Sequence, residues 1–254
     1  MRNILRFGII LFSLFGCTQK NEMYEICGKV TDFNGNPIDS VTIRLMSKGF
    51  ETVCETLSDK NGNYSIHAKK GNYNCLYAVK TPDYRVNKLE YWMWNVPVTK
   101  NLTINPQYDR MEIYGINVFE PQVSPRETYM MYFRPMSLSK SLQLVSKQNI
   151  NSNEFKKIER TEDLLDSSDK LINISPDSIT PKELIIEING VKAEIVGVNK
   201  ITEYARGFFM YGYCVQVLKP KKSENSGLEY DLISVTLHSL ETGESGKGEA
   251  FVKR

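Results

Sequence analysis

The sequence is poor in the residues on which most catalytic and metal centres depend. Among 254 residues there are two histidines, His67 and His238. A zinc peptidase needs two histidines and a glutamate. His238 and Glu241 have the H-x-x-E spacing of two such zinc ligands, but no histidine follows them to supply the third. The chain also lacks G-x-S-x-G, G-x-x-x-x-G-K and C-x-x-C sequences, the signatures of serine hydrolases, phosphate-binding loops and zinc or redox motifs. We therefore expect a non-catalytic protein with no metal and no cofactor.

An excess of charge of either sign is also missing. The formal net charge is +2, and Arg2 and Arg6 account for all of it, so that beyond residue 16 basic and acidic residues balance. Proteins that bind nucleic acid or anionic lipid surfaces through charge carry clustered basic residues. The sequence thus predicts no nucleic-acid partner and no polybasic contact with a membrane.

The N-terminus contains the one distinctive apolar run, IILFSLF, which is too short to span a membrane as a mature helix. It follows two arginines and leads into LFGC, which ends at Cys17 and resembles the bacterial lipobox. The resemblance implies a cleaved signal peptide (1–16), an acylated Cys17 and a short tether (17–22). Several acyl chains would hold the protein at the cell envelope, and we expect the outer membrane, with the face left open. An ordinary secretory leader with a chance cysteine is the alternative.

The rest of the sequence predicts an all-β protein. Short runs rich in Val, Ile, Thr and aromatic residues alternate with Gly, Asn, Asp and Pro, which is typical of antiparallel β-sandwiches. We expect two sandwich domains in tandem, 23–105 and 106–254, with a polar insertion at about 151–172. The second domain is expected to be immunoglobulin-like from strand spacing alone. Asn189 and Gly190 lie between two alternating runs and predict a two-residue hairpin.

Two similar segments, DFNGNP (32–37) and DKNGNY (59–64), suggest either cation loops or turns. Each has only one carboxylate near its start, whereas calcium needs six to eight oxygen ligands. A type I turn favours Asp at its first position and Gly at its fourth. Asp32 with Gly35, and Asp59 with Gly62, fit that rule, so we interpret both segments as turns.

These turns and their flanking strands resemble the carboxypeptidase-regulatory-like domain. The residues that carry the resemblance stand in register with its pattern: Gly28, Val30, Asp32, Gly35, Pro37, Ile38, Asp59, Gly62 and Tyr64. The resemblance covers roughly residues 23–105 and implies a small prealbumin-type β-sandwich. It also implies a non-catalytic role in adhesion, scaffolding or docking, and such domains occur at the N-terminus of outer-membrane nutrient transporters.

One strand candidate, LEYWMWNVP (89–97), contains both tryptophans and is apolar on both faces. Tyr91 would face one side, and Trp92 and Trp94 the other. Either the strand packs against both domains at their junction, or the tryptophans form a platform that stacks on sugar rings or on a partner. A second aromatic run (204–213) is broken by Gly207 and Gly212, which indicates a bulge or a close backbone approach.

Two kinds of modification follow from the predicted export. The segments around Ser40 and Ser178, DSV and DSI, resemble the short O-glycosylation signal of some Gram-negative periplasmic proteins. Exported proteins can also form disulfides, but free buried cysteines explain the pattern equally well. The sequence leaves the pairing open among Cys27, Cys54, Cys75 and Cys214.

The function predicted from these features is a non-catalytic, lipid-anchored binding or assembly module of the cell envelope. Its partners would be the membrane, through Cys17, and a glycan or an outer-membrane transporter. Two alternatives remain open. One is a glycan-active hydrolase with dispersed carboxylates in the second domain, because such pairs meet only in space. The other is a structural component of a surface fibre or adhesin.

Overall fold

The computed structural model describes residues 22–122, 126–147, 173–205, 208–221 and 229–254. Within them the protein is all-β, as predicted, with one α-helix in addition. The signal peptide, Cys17 and the polar insertion at 151–172 lie outside the described residues. The first half contains the strands β1 (Met23–Lys29), β2 (Thr42–Met46), β3 (Thr52–Leu57), β4 (Asn63–Lys69), β5 (Gly71–Val79), β6 (Tyr91–Val98) and β7 (Leu102–Thr103).

The second half contains the remaining strands and the helix. They are β8 (Met111–Phe119), β9 (Thr128–Ser137), α1 (Leu138–Lys147), β10 (Leu184–Ile188), β11 (Val191–Lys192), β12 (Glu194–Ala205), β13 (Phe208–Leu218), β14 (Tyr230–His238) and β15 (Ser245–Lys253), and a short 3₁₀ helix, Pro181–Glu183, precedes β10. Among the described residues, no helix is both long and apolar enough to cross a bilayer.

The strands form three sheets, and the largest sheet joins the two halves. Its eight strands run in the order β11-β10-β14-β15-β6-β5-β2-β3, so its left part comes from the second half and its right part from the first half. A three-stranded sheet (β4-β1-β7) covers one face of the right part, and a four-stranded sheet (β12-β13-β9-β8) covers the other face of the left part. The molecule is therefore two β-sandwiches that share one continuous sheet.

The shared sheet is joined by β6 and β15, which pair in parallel from Trp92 opposite Gly248 to Trp94 opposite Ala250. A second parallel pairing links β1 to β7. Both depart from the purely antiparallel sandwiches expected from the sequence. The reason is that each parallel pair joins strands separated by a long connection, which spacing between neighbouring strands does not reveal.

Two hydrophobic cores lie on opposite faces of the shared sheet, and each half contributes to both. Phe251 at the end of β15 packs into the first core, and Trp94 of β6 packs against the second. The edge strand β8 crosses closely over β15 because glycines lie beneath it. A Cβ added at Gly246 would come within 2.4 Å of the Met111 carbonyl oxygen, and one at Gly248 within 2.6 Å of that of Ile113.

Local sequence signals explain several connections. Asn189 and Gly190 both have positive φ, 51° and 77°, as a type I′ hairpin between β10 and β11 requires, and the predicted hairpin is confirmed. At Gly212 the sequence indicated a bulge or a close backbone approach, and the structure instead packs the ring of Tyr132 over this glycine. A Cβ added there would lie 1.9 Å from the Tyr132 hydroxyl oxygen. Gly207 lies outside the described residues.

The helix α1 was not predicted from the sequence. Ser137 precedes it, and its side-chain oxygen accepts a hydrogen bond from the Lys140 amide at 3.3 Å, as an N-cap does. Leu138 is fully buried at the start of the helix. A serine before a helix is an N-cap signal that can be found in a sequence. Ser137 is also the last residue of β9, so the strand pattern concealed the start of the helix.

Candidate functional site

The two tryptophans of β6 lie at the junction of the halves. Their rings stack with centroids 5.2 Å apart and an interplanar angle of 11°. Tyr114 of β8 stands edge-on to both, at 5.3 Å from Trp92 and 5.2 Å from Trp94. Trp92 is only 9% exposed and Trp94 is half-buried. Trp92 therefore has little surface left for a ligand. Trp94 keeps some exposed surface beside Phe50, whose ring centroid is 6.3 Å away, but its indole Nε1 is buried without a hydrogen-bond partner among the described residues.

Tyr91 faces the opposite side of the sheet and lies in the first core, fully buried. Its hydroxyl donates to the carboxylate of Glu249 on β15, which is itself buried and paired with Lys247. Burial, followed by the nearby carboxylate, raises the pKa of Tyr91 well above its ordinary value. Tyr91 thus bonds the two halves together from inside and presents nothing to a ligand.

The alternation of β6 reverses at Asn95, which has a left-handed backbone with φ of 57°. Trp92 and Trp94 face the second half, yet Val96 and Val98 lie in the first core. Strict alternation from Trp92 and Trp94 would place Val96 on the tryptophan face, but the positive φ at Asn95 turns Val96 to the opposite face. Asn is one of the few residues that adopt this conformation at small cost.

Where the alternation reverses, the surface forms a cavity of about 210 Å³ between the two halves. We call it the asparagine pocket, and it is lined by Lys48, Asn72, Tyr73, Asn74, Asn95 and Tyr230. Lys48 comes from the β2–β3 turn, Tyr230 opens β14, and the others come from the adjacent strands β5 and β6. The cavity is smaller than the roughly 300–1,000 Å³ of a site for a drug-sized ligand. Its volume suits one sugar ring at the end or side of a longer glycan chain.

Several polar groups of the asparagine pocket are held in place, and others are open. Tyr230 donates its hydroxyl to Asn72 Oδ1 at 3.3 Å, and Tyr73 donates to the Lys69 carbonyl at 2.8 Å. The Asn72 amide nitrogen therefore points away from Tyr230 as a donor. The side chains of Lys48 and Asn95 are exposed and make no hydrogen bond or ion pair with a described residue. Two tyrosine rings and open amide groups are what a sugar ring requires.

Sequence reasoning missed this pocket, although the sequence contains a signal. Asparagine is disfavoured in strands, yet Asn72, Asn74 and Asn95 all lie inside β5 or β6. Three such residues in two strands suggest a role other than packing. Their convergence with Tyr230 could not be foreseen, because it depends on the pairing of β6 with β15.

Two buried carboxyl groups meet beneath the junction. Glu90 accepts hydrogen bonds from the Tyr77 hydroxyl at 2.7 Å and from the Trp92 indole at 3.0 Å. Glu112 on β8 is 4% exposed, and its Oε2 has no hydrogen-bond partner among the described residues. Burial first, and then the neighbouring Glu90, raises the pKa of Glu112 well above its ordinary value. Burial also raises the pKa of Glu90, while Tyr77, Trp92 and the buried Arg85 oppose that rise.

A second cavity, of about 370 Å³, lies in the second half and is lined by Glu120, Glu127, Ile188, Lys219, Pro220, Asp231 and Arg254. Asp231 accepts from Tyr129 at 2.8 Å, and from Asn189 and Arg254 at 2.7 Å each. Although burial raises it, these bonds hold the pKa of Asp231 below its usual range. A two-carboxylate hydrolase needs a protonated acid. Asp231 does not meet that need, and Glu90 and Glu112 line neither cavity.

The two similar turns have the same geometry and lie against each other. Asp32 Oδ1 accepts from the amides of Asn34 and Asn36 at 2.9 Å, and Asp59 Oδ1 accepts from those of Asn61 and Asn63 at 2.8 Å. Both carboxylates thus bind backbone amides, and the described residues contain no cluster of three or more His, Cys, Asp or Glu suited to a metal.

The glycines of these turns, Gly35 and Gly62, have φ of 81° and 79°. Gly62 has a second constraint, since a Cβ there would lie 2.4 Å from the Val30 carbonyl oxygen. The Val30 amide in turn donates to the Gly62 carbonyl at 2.8 Å. The two turns therefore fix the fold of the first half.

His238 has structural surroundings, and His67 is exposed on β4. His238 Nδ1 is 2.7 Å from the Ser245 hydroxyl, and its ring stands edge-on to Phe33 at 5.6 Å. Glu241 pairs with Lys140 at 2.6 Å and accepts from the Asp177 amide.

The predicted modification sites and cysteines are placed as follows. Ser40 and Ser178 are both exposed, and Ser40 has a positive φ of 55°. The described cysteines are all free thiols: Cys27, Cys54, Cys75 and Cys214. Cys54 on β3 and Cys75 on β5 are separated by the intervening strand β2.

Comparisons with known proteins give no family. No family model matches the chain, and no curated protein matches it. Among solved structures, the major pilin subunit BcpA of Bacillus cereus is 10% identical, with 90% of this chain and 67% of that chain covered and a TM-score of 0.27. A DUF3823 family protein from Parabacteroides merdae is 12% identical, with 91% and 98% covered and a TM-score of 0.27. A protein from Bacteroides uniformis, described as a candidate carbohydrate-binding protein, is 10% identical, with 91% and 99% covered and a TM-score of 0.28. Function must therefore be argued from the residues of this chain.

Proposed function

We propose that this chain is a non-catalytic lipoprotein of the cell envelope that binds a glycan in the asparagine pocket. The observation that carries the proposal is the pocket itself. Two partly exposed tyrosine rings and three asparagines converge on one cavity at the joint of the shared sheet. Aromatic rings offer apolar faces to the C–H side of a sugar, and amides offer a donor and an acceptor to its hydroxyls.

The position of the pocket also supports binding rather than assembly through a flat surface. Its lining comes from β5, β6, β14 and the β2–β3 turn, all attached to one rigid sheet. A site built on paired strands keeps its geometry without a ligand, which lowers the entropic cost of binding.

Glycan binding is tested by replacing the pocket's central asparagine without disturbing the backbone. Asn95→Gly removes the amide, and glycine accepts the φ of 57° more readily than any other residue. Ser40→Gly is the matched control, because Ser40 is also exposed with a φ of 55° but does not line the pocket. Loss of one or two hydrogen bonds at about 0.5–1.5 kcal/mol each predicts roughly tenfold weaker binding for Asn95→Gly.

The assay is binding of the full-length protein to a broad panel of plant, host and microbial glycans, followed by calorimetry with any glycan retained. We expect Ser40→Gly to bind as the wild type does. The proposal is refuted if no glycan is retained, or if Asn95→Gly binds every glycan as tightly as the control. Release of shortened oligosaccharides during the assay would instead favour the hydrolase.

The proposed location depends on the lipidation of Cys17. The acyl chains contribute about 0.8 kcal/mol per buried CH₂, so that several chains hold a protein durably where one does not. The exposed pocket would then be presented close to the membrane, where a glycan could be passed to an outer-membrane transporter. The adhesin alternative predicts polymeric assemblies of this chain on the cell surface, which electron microscopy of the producing cells would reveal.

A further inference from the structure

We propose that the asparagine pocket selects acidic glycans, and that Lys48 is the residue that recognises their carboxylate or sulfate. This inference rests on the proposed glycan-binding function and adds the class of ligand. Of the six side chains that line the pocket, Lys48 alone carries a charge, and the other five are neutral asparagines and tyrosines. A bound anion would meet one cation and no carboxylate among these lining residues.

Lys48 keeps a free charge that several other lysines of the described surface do not. The neutralised lysines are Lys70 by Glu22, Lys80 by Asp39, Lys88 by Asp109, Lys140 by Asp177 and Glu241, Lys219 by Glu120, and Lys247 by Glu249. Lys48 forms no ion pair with any described residue. Its ammonium group is therefore available to a ligand.

The turn that carries Lys48 is fixed by its own hydrogen bonds. The Ser47 amide donates to the Glu51 carbonyl at 2.9 Å, and the Phe50 amide donates to the Ser47 carbonyl at 3.0 Å. The ring of Phe50 also stands edge-on to Trp94, the residue before Asn95. The backbone at Lys48 is thus held at the rim of the pocket, and only its side chain has to be ordered when a ligand binds.

The neighbouring amide adds a donor rather than a competing acceptor. Asn72 Oδ1 already accepts from Tyr230, so its amide nitrogen faces outward as a donor. An ammonium and an amide donor together suit a carboxylate or sulfate, because hydrogen bonds to ionised acceptors are about twice as strong as neutral ones. The chain beyond residue 16 has balanced charge, so an acid preference would come from this pocket and not from the protein as a whole.

The test compares acidic oligosaccharides with uncharged counterparts of the same backbone. A galacturonic acid trisaccharide is measured beside its methyl ester, and a sulfated, carboxyl-reduced chondroitin tetrasaccharide beside its desulfated, carboxyl-reduced form. The two pairs distinguish carboxylate from sulfate as the recognised group. Each is titrated into the full-length wild type, Lys48→Gln and Lys60→Gln, where Lys60 is an exposed turn lysine outside the pocket.

We expect the wild type and Lys60→Gln to bind at least one acidic member about tenfold more tightly than its neutral counterpart. Lys48→Gln should bind both members with the affinity of the neutral one. Equal binding of acidic and neutral members by the wild type would overturn the acid preference and leave the glycan-binding function intact. An acid preference that survives in Lys48→Gln would overturn the role of Lys48. Failure to bind any member of these pairs would overturn the acidic ligand class, and the function itself would fall only if the broad panel were also negative.

Discussion

Replacing Glu112 by Gln should change how the stability of this protein depends on pH. Glu112 is buried beneath the junction beside Glu90, and its Oε2 has no hydrogen-bond partner among the described residues. Burial and the neighbouring carboxyl both raise its pKa above the ordinary value of 4.5. The folded protein therefore keeps a proton on Glu112 at a pH at which the unfolded chain has released it.

The sign and size of the effect follow from proton linkage. Below about pH 4.5 Glu112 is protonated in both states and contributes nothing to the pH dependence. Above that value the unfolded chain releases the proton and the folded protein retains it, so the free energy of unfolding falls by up to about 1.4 kcal/mol per pH unit. Between pH 5 and pH 7 the loss is up to about 2.7 kcal/mol, and it stops growing only above the folded pKa.

Gln has nearly the same shape and carries no titratable proton, so the variant lacks this loss. Its stability relative to the wild type should rise with pH, by up to about 2.7 kcal/mol between pH 5 and pH 7. The measurement is urea unfolding followed by tryptophan fluorescence at a series of pH values. The reporter is suitable because Trp92 donates to Glu90 within the same cluster.

Other groups titrate in both proteins, so only the difference between them is informative. Glu51→Gln is the control for the replacement of a carboxyl group by an amide, because Glu51 is exposed in the β2–β3 turn and lies outside the buried pair. A flat difference for Glu112→Gln between pH 5 and pH 8 would show that Glu112 ionises normally. The reasoning about its burial would then be wrong.

Three further predictions concern single positions. Gly62→Ala should lower the free energy of unfolding by about 2–5 kcal/mol, because Gly62 has a left-handed backbone and its Cβ position is in contact with Val30. Gly35→Ala should lower it by only about 1–2 kcal/mol, because Gly35 has φ of 81° but nothing within 4 Å of its Cβ position. Chemical denaturation measures both losses. Equal losses would contradict the packing of one turn on the other. Gly248→Ala should lower the free energy of unfolding by about 1–3 kcal/mol, because β8 would have to move away from the added Cβ. Gly197→Ala is the control, because a Cβ there has nothing within 4 Å, and it should change stability by less than about 0.5 kcal/mol. Thermal unfolding of both variants tests the contact of β8 with β15. Cys17→Ala should shift the protein from the membrane to the soluble fraction on cell fractionation, and continued membrane attachment would refute the predicted anchor.

Much of the local structure was readable because local chemistry determines it. Asn189 and Gly190 specify a tight hairpin whatever surrounds them, and Asp59 with Gly62 gives a turn whose carboxylate binds amides two and four residues further on. The alternating runs gave the all-β class for the same reason, since a strand with one buried face repeats every two residues.

The joint between the halves could not be predicted, because it depends on contacts between distant residues. Gly246 and Gly248 were visible in the sequence, but the close approach of β8 that explains them was not. Glu112 between Met111 and Ile113 looks like a solvent-facing residue of an alternating strand, yet all three are buried. The asparagine pocket shares this difficulty, since Tyr230 reaches it only through the shared sheet.

The pairing of β6 with β15 has a consequence for how the chain is made. Tyr91 and its partner Glu249 are 158 residues apart along the chain. During synthesis, the edge of β6 that pairs with β15 therefore stays open, with both tryptophans beside it, until β15 has been made. Pairings over such distances form slowly, and an open apolar edge is a site of aggregation. We expect the nascent chain to need a holding chaperone, and a chain from which β15 is deleted to be degraded although its other strands are intact.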